Sequence, residues 1–437
     1  MDNMSRINSV QIIYESTYRA DCTFISELFK FMGIYNYEIN SLKEISNSFD
    51  LYIYIGYKTQ IEKLAELNGK VICLYDELNI VEQKENYLPI FRRFTKKKQE
   101  QILISLLEIL YNQDKAKEFK YLVGIYVQND LVIYSTNLSY YSGNKSFALE
   151  NTKKVLSGTY EQLNDLLARE EYSDTVKSHY EYARIWCKVK ANLAHHYQNE
   201  DYIYLIDKIA EECESLQQKY KDFMLLKVLK ALCYEPSKHN VKDALLAFKD
   251  ALSSIENAQL LSEIYYQVGK CYNYDEELAK HSYELSNKRN KNIRSTFKLA
   301  VMDRNERQYN RAIRLFDEII QQLEKKNREG ITTPTEIEQL FKAYVQVALI
   351  HYKIDTYNKA IEHGLKALEI RESLLDRNEY IKIFYGEKSE QYIKLTRSRL
   401  GVKSVYLVLS ESYRRLLNKE KAEEYFEKLK IWQLLNE

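Results

Sequence analysis

Proline is almost missing from this chain, with 3 in 437 residues, and glycine is scarce at 11. Both residues interrupt helices, so their scarcity excludes collagen-like and Pro-rich organisation and fits long helices with short turns. Cysteine is sparse as well, and the six present (Cys22, Cys73, Cys187, Cys213, Cys233 and Cys271) form no CxxC pair. Several sit inside apolar helical or strand patterns, so buried free thiols in a reducing cytosol are expected. No stretch approaches the roughly 18 uncharged apolar residues of a membrane span. The N-terminal MDNMSRINSVQIIYES has no apolar run long enough for a signal peptide. A charge excess is absent too: 64 Lys+Arg stand against 63 Asp+Glu, a net charge of +1. That balance gives no global field for nucleic acid or an anionic membrane. The expectation is a cytoplasmic protein without a membrane anchor.

What is present begins with length. A chain of 437 residues is too long for one compact core and suits two domains or a solenoid. Tyrosine is abundant at 39. With Ile, Lys and Asn also frequent, most of this reads as compositional bias, and a Tyr-lined binding groove is the other reading.

The first hundred or so residues alternate strands with helices. Val10 to Tyr14 (VQIIY), Asp50 to Tyr57 (DLYIYIGY) and Val71 to Tyr75 (VICLY) read as strands, with Tyr37 to Leu42 as one more and Ile90 to Phe94 as a short further strand after Pro89. Cys22 to Met32 reads as a helix ended by Gly33, and Thr59 to Leu67 as a short helix ended by Asn68-Gly69. Such alternation implies βαβ units, a mainly parallel sheet and a flavodoxin-like unit over residues 1–115. Its last helix, from about Lys97 to Leu110, places Ile102, Leu103, Leu106, Leu107 and Leu110 on one face.

Open α/β sheets bind ligands beyond the carboxyl ends of their strands. Glu15, Ser16 and Thr17, then Gly56, Tyr57 and Lys58, then Asp76 and Glu77 occupy those positions. No GxGxxG or GxxxxGK[ST] loop is present to cradle a phosphate. An active receiver domain would need an Asp at the end of the central strand, where Gly56 stands. The stretch DLYIYIGYKTQIEKLAEL followed by NGKVICLYDE resembles the middle of Toll/interleukin-1 receptor (TIR) domains and of nucleoside deoxyribosyltransferases. In those families a Glu on the intervening helix acts on a ribosyl bond, and the resemblance implies Glu62 as the matching catalytic candidate. The Trp-Cys pair common before the TIR glutamate is replaced by Thr59-Gln60-Ile61. The other reading of Glu62 is an exposed residue near a helix N-terminus.

From about residue 116 to 437 the chain reads as helix. Phe341 to Ile370 carries Tyr344, Val347, Ala348, His351 and Tyr352 on one helical face, then Tyr357, Ala360, Ile361, Gly364, Ala367 and Leu368 on another, with a short turn at Lys353 to Thr356. This is an antiparallel hairpin that cannot bury its apolar face alone. Related spacings recur at Tyr406/Leu409/Ser410/Tyr413 with Ala422/Phe426/Leu429, at Leu299/Ala300 with Tyr309/Ala312/Phe316, at Val268/Gly269/Tyr272 with Ala279/Tyr283, at Ala231/Tyr234 with Ala244/Phe248, and at Leu193/Ala194/Tyr197 with Ile206/Ala210. The series resembles the tetratricopeptide (TPR) repeat, with about six hairpins and a degenerate pair over Lys117 to Tyr160. Asp303 stands where that repeat usually has an aromatic. Two connections exceed a tight turn: Asn327 to Thr335, with Thr335 as an expected helix cap, and Leu375 to Lys388, read as a helix extension or a loop. The fold class expected is therefore a small α/β parallel-sheet domain followed by an all-α, TPR-like helical-hairpin solenoid.

The TPR resemblance implies a concave groove lined by the first helix of each pair, which takes a protein or peptide partner. In this chain Lys188, Asn192, His195, Tyr266, Lys270, Lys298, Gln346 and Lys353 would face it. Lys188 and Asn192 stand at i,i+4, but no partners for a carboxylate clamp follow in the next helix. His195-His196 point about 100 degrees apart on a helix and do not chelate one ion, so no metal and no cofactor is assigned. The basic run RRFTKKK (Arg92 to Lys98) reads as a solvated helix start rather than a phosphate-binding patch. Trp186, Trp432 and His351 read as packed residues. No catalytic constellation is legible, which points to a binding module rather than an enzyme: an interaction scaffold or regulatory adaptor, with homo-oligomerisation open. Two alternatives stand beside it. One is a regulatory sensor or effector with nucleotide- or NAD-directed activity in the N-terminal domain, as in bacterial defence systems. The other is a bacterial peptide-pheromone receptor, against which the N-terminal strands count.

Overall fold

A computed structural model describes residues 7–75, 90–133, 147–195, 202–221, 223–234, 240–272 and 274–436. Asp76, Glu77, Pro89, His196, Tyr197 and Pro236 therefore lie outside the described residues. The chain divides into two compact units, Met1–Tyr274 and Asp275–Glu437.

The first unit opens with a four-stranded parallel sheet. Its strands are β1 (Val10–Tyr14), β2 (Tyr37–Ser41), β3 (Leu51–Gly56) and β4 (Lys70–Tyr75), in the order β2-β1-β3-β4. Flavodoxin-type sheets begin in this order. Val10 sits beside Tyr37 on one flank and Leu51 on the other. Every residue of β3 is buried, as a central parallel strand covered on both faces requires. On one face Ile13, Tyr52, Tyr54 and Leu64 pack with Leu42, Ile45, Phe49 and Leu67. Between β1 and β2 runs α1 (Arg19–Met32), ended by Gly33 at φ 79°, where Ile34 N–H bonds back to Phe29 C=O at 2.8 Å.

Two local expectations are corrected. Thr59 to Leu67 forms a 3-10 helix over Lys58–Leu64. Ile90 to Phe94 is not a strand but one helical turn, Ile90–Arg93. Side chains from elsewhere decide the second case. Asp21 accepts from Phe91 N–H at 2.7 Å, the Gln99 amide donates to the carbonyls of Phe91 and Phe94, and the Phe91 ring stacks on Phe24 at 4.8 Å. A β-rich run whose backbone groups are satisfied by side chains has no need of a strand partner.

Helices follow in the same unit: α2 (Lys96–Leu110), α3 (Gln113–Glu118), α4 (Lys120–Gln128), α5 (Phe147–Arg169), α6 (Asp174–His195), α7 (Tyr202–Lys219), α8 (Leu225–Tyr234), α9 (Val241–Leu252) and α10 (Ala258–Cys271). Successive helices from α5 onward pack on one another. Ala231, Ala244, Phe248, Ala251, Ile264 and Val268 form the core of α8, α9 and α10. The small residues let the backbones approach, and Phe248 fills the space beside them, which contributes about 1.5–3 kcal/mol for that one ring.

The second unit holds α11 (Glu276–Arg289), α12 (Ile293–Asn305), α13 (Tyr309–Arg328), α14 (Pro334–Lys353), α15 (Tyr357–Glu369), α16 (Glu379–Tyr385), α17 (Ser389–Arg399), α18 (Lys403–Arg415) and α19 (Lys419–Asn436). The turns of three of its hairpins share one geometry. Arg307, Asp355 and Leu417 adopt φ of 63°, 59° and 61°. The following amides, of Gln308, Thr356 and Asn418, bond back to the carbonyls of Asp303, His351 and Tyr413 at 2.8, 2.9 and 2.9 Å. Ala348, Ala360 and Val408 pack as one cluster where three helices meet. A Cβ on Gly364 would lie 2.9 Å from the Leu409 side chain, so glycine there allows α15 and α18 to meet. The chain is thus a small parallel α/β sheet followed by TPR-like helical hairpins.

The two long connections of this unit meet. The cap of α14 is Thr333, not Thr335: its hydroxyl accepts from Glu336 N–H and the Glu336 carboxylate accepts from Thr333 N–H. Beyond α15 the chain passes through a π-helical turn (Ile370–Leu374) into α16 and α17, a folded insertion rather than a loop. Asn378 donates to Thr332 at 3.2 Å, and Thr332 donates to Asn327 at 3.1 Å. After the insertion α18 stacks directly on α15, which resumes the hairpin series.

Candidate functional site

The carboxyl ends of β1 and β3 form the crevice in which an open α/β sheet would hold a ligand. Glu15 sits there, held by the Tyr54 hydroxyl and by Tyr57 N–H at 3.4 Å, while the Tyr57 hydroxyl reaches Thr17 at 3.4 Å. Burial and the neighbouring Glu15 carboxylate push the Tyr54 phenol well above its ordinary range, so its proton stays in the hydrogen bond. A Cβ at Gly56 would collide with the Tyr54 hydroxyl and lie 2.9 Å from Glu15. Glu15, Tyr54 and Tyr57 of the chain itself thus occupy this end of β1 and β3. Glu62 is exposed on the 3-10 helix between β3 and β4.

A second site is built by contacts that the sequence does not advertise. On α6, His179, Tyr182 and Trp186 recur at helical spacing and meet α1. His179 Nδ1 lies 2.6 Å from the Met32 carbonyl, which can only accept, so Nδ1 carries the proton. Nε2 then accepts from the Tyr111 hydroxyl at 3.0 Å. The ring is surrounded by Tyr111, Phe119 and Phe223, and burial holds its pKa down at about 4. Gly33 is pressed against Tyr182 and Phe223, Phe31 meets Trp186 edge-on at 5.5 Å, and Tyr126 donates to the Phe24 carbonyl at 2.7 Å. From α10, Asn257 and Gln259 reach the backbone of β2. The first-helix face of the early hairpins thus carries the α/β sheet of its own chain.

The residues expected in the groove fall into both units. In the first, Lys188 pairs with Glu212 of α7 at 2.6 Å and lies over the Tyr160 ring of α5 at 5.3 Å. Asn192 is buried on α6. His195 ends that helix. Tyr266 and Lys270 are half-buried on α10, and Lys270 donates to Gln267 at 3.2 Å. In the second unit Lys298 and Lys353 are exposed on α12 and α14. Gln346 is half-buried on α14 and accepts from Arg304. Within each unit these residues sit on first helices of hairpins.

The missing aromatic at position 303 has an explanation. Asp303 is fully buried in α12, 3.0 Å from Arg311 of α13 and 3.4 Å from Lys280 of α11. A three-helix charge network replaces the ring packing seen one hairpin on, where His351 stacks on His363 at 5.4 Å, and again where Tyr413 stacks on Tyr425 at 5.8 Å. Burial lowers the pKa of His351 to about 4 and also pushes that of His363 below its ordinary value, which favours the neutral form of both rings at pH 7.

A cleft of about 400 Å³ also opens between α2, α4 and α5. In its lining Gln128 donates to Glu100 at 2.7 Å, Arg169 pairs with Asp165 at 3.3 Å and Lys120 lies over the Tyr121 ring at 6.0 Å. All six cysteines are unpaired, and all but Cys73 are buried. Among the described residues no group of His, Cys, Asp and Glu side chains could hold a metal ion, and no helix is long and apolar enough to cross a membrane.

No protein-family model matches the chain, and no curated protein matches it in sequence. Among solved structures it is similar to a signal transduction ATPase with numerous domains (STAND) protein with a tetratricopeptide repeat sensor from Pyrococcus horikoshii, at 14% identity and a TM-score of 0.28, over 98% of this chain and 87% of that one. A score of 0.28 is too low to carry fold or function from one chain to the other.

Proposed function

We propose that this chain is a cytoplasmic interaction protein, a scaffold or regulatory adaptor, whose helical hairpins bind a peptide or protein partner. The observation that carries the reading is how the hairpin faces are used. In the first unit α6 and α10 hold α1 and β2 of the same chain. In the second unit the corresponding first helices α12, α14 and α18 present Lys298, Lys353, Arg414 and Leu407 at the surface. Exposed cations and a large exposed apolar side chain on the first helices of one unit suit an amphipathic, acidic peptide. On this reading Lys298, Gln346 and Lys353 are the contact residues, and residues 1–115 form a docked regulatory domain.

The test uses full-length chain as bait in extract of its native host. A partner retained by the wild type and by Glu62→Ala, and lost with Lys298→Glu/Lys353→Glu, supports the reading. A partner held equally by the charge-reversed chain places binding elsewhere. A partner lost only with Glu62→Ala moves the site to the α/β domain.

A further inference from the structure

The outer edge of β2 is closed by two side chains that are about 220 residues away in sequence. Gln259 Oε1 accepts from Ile39 N–H at 2.9 Å, and Gln259 Nε2 donates to Ile39 C=O at 2.7 Å. A primary amide holds a donor and an acceptor side by side, as a peptide group does, so Gln259 pairs with Ile39 as one more strand residue would. Two residues along, Asn257 Nδ2 donates to Tyr37 C=O at 2.6 Å. The same Asn257 caps α10, its Oδ1 accepting from Leu260 N–H at 2.8 Å. An uncovered edge strand is a template for pairing with other chains, and here helix side chains cover it.

We propose that this contact is a latch that opens separately from the rest of the sheet. Its grip on the edge of β2 is polar and made by side chains, whereas the apolar docking of the sheet on the helices runs through α1, at Phe24, Phe31 and Gly33. Opening the latch breaks the bonds to Tyr37 and Ile39, the longer one from Gln259 to the Asn40 side chain at 3.4 Å and the one from Ala258 N–H to the Glu38 carboxylate, and leaves that apolar contact and the β1–β3 pairing in place. The open state presents Tyr37 C=O and both peptide groups of Ile39 to solvent or to an added strand. The device lies in α10, the last helix of the first unit, so a shift of that helix reaches the sheet edge directly.

Amide hydrogen exchange on the full chain tests this. Asn257→Asp keeps the helix cap but loses the donor to Tyr37, and Gln259→Leu keeps the bulk but loses both bonds to Ile39. In the double variant, exchange of the Ile39 amide within the 37–41 segment is expected to rise roughly tenfold or more, with residues 51–55 of β3 unchanged. Unchanged protection of the Ile39 amide would overturn the latch. So would a joint rise over both segments, because the contact would then belong to the global fold. If the double variant does not fold, Gln259→Leu alone is read by the same two segments.

Discussion

Replacing Asp21 by asparagine is expected to change how stability depends on pH. Asp21 is fully buried on α1, accepts from Phe91 N–H at 2.7 Å through one oxygen, and its other oxygen makes no hydrogen bond. Burial outweighs that amide and the nearby Arg92 charge, and lifts the carboxyl from its ordinary range to about 7. An acid with a raised pKa in the folded chain favours folding when protonated. Its contribution is fully present below about pH 4, where the unfolded chain is protonated too, and is lost as pH rises towards 7. A displacement of about 3 pKa units corresponds to about 3–4 kcal/mol lost between pH 4 and pH 8. Asparagine offers the same oxygen to Phe91 and does not titrate. Any cost of its NH2 group is the same at every pH, so the slope is the readout and the absolute stability is not. Urea unfolding of both chains at half-unit steps from pH 4 to pH 8 supplies it. The difference in unfolding free energy should shift in favour of Asp21→Asn by a few kcal/mol across that range. Parallel curves would refute the reasoning, because they would mean that Asp21 is ionised in the folded chain throughout.

Three further outcomes follow from the packing. His179, with its pKa held down to about 4, contributes stability that is complete above about pH 6.5 and lost as pH falls towards 4. His179→Gln, which can still donate to Met32 and accept from Tyr111, should flatten that acid limb by up to about 3 kcal/mol in the same titration. Gly33→Ala meets both a left-handed backbone and atoms of Phe223 and Tyr182 within 2.7 Å, so thermal unfolding should show a loss of about 2–4 kcal/mol. Asp303→Leu leaves Arg311 and Lys280 without their buried partner. Both cations reach solvent in part, so denaturant unfolding should show a loss of about 1–3 kcal/mol rather than the full cost of a buried unpaired charge.

Periodicity was sufficient wherever a residue's neighbours in space are also near it in sequence. The buried run of β3, the glycine after α1, and the small and aromatic positions of α14 with α15 could all be read, because strand alternation and helical spacing fix which side chains share a face. The same logic failed where distant groups decide. Ile90 to Phe94 has strand composition, yet Asp21 and Gln99 satisfy its backbone and turn it into a helix. Leu375 to Lys388 shows no repeat spacing, yet it enters α16 of a folded insertion because Asn378 finds Thr332. Of the site residues, Lys188 was legible as a cation on a helix, but its partners Glu212 and Tyr160 come from neighbouring helices. His179, Asn257 and Gln259 gave no signal at all: nothing near them in sequence marks a lone imidazole or a side-chain amide as a bond to a strand or to a helix end. By itself the sequence determined most of the elements, their order and the faces they bury, because these depend on local spacing. Only the tertiary structure decided what those faces meet, and in the first unit α6 and α10 meet the chain's own sheet, because hydrogen bonds spanning 147 and 220 residues have no periodicity to announce them.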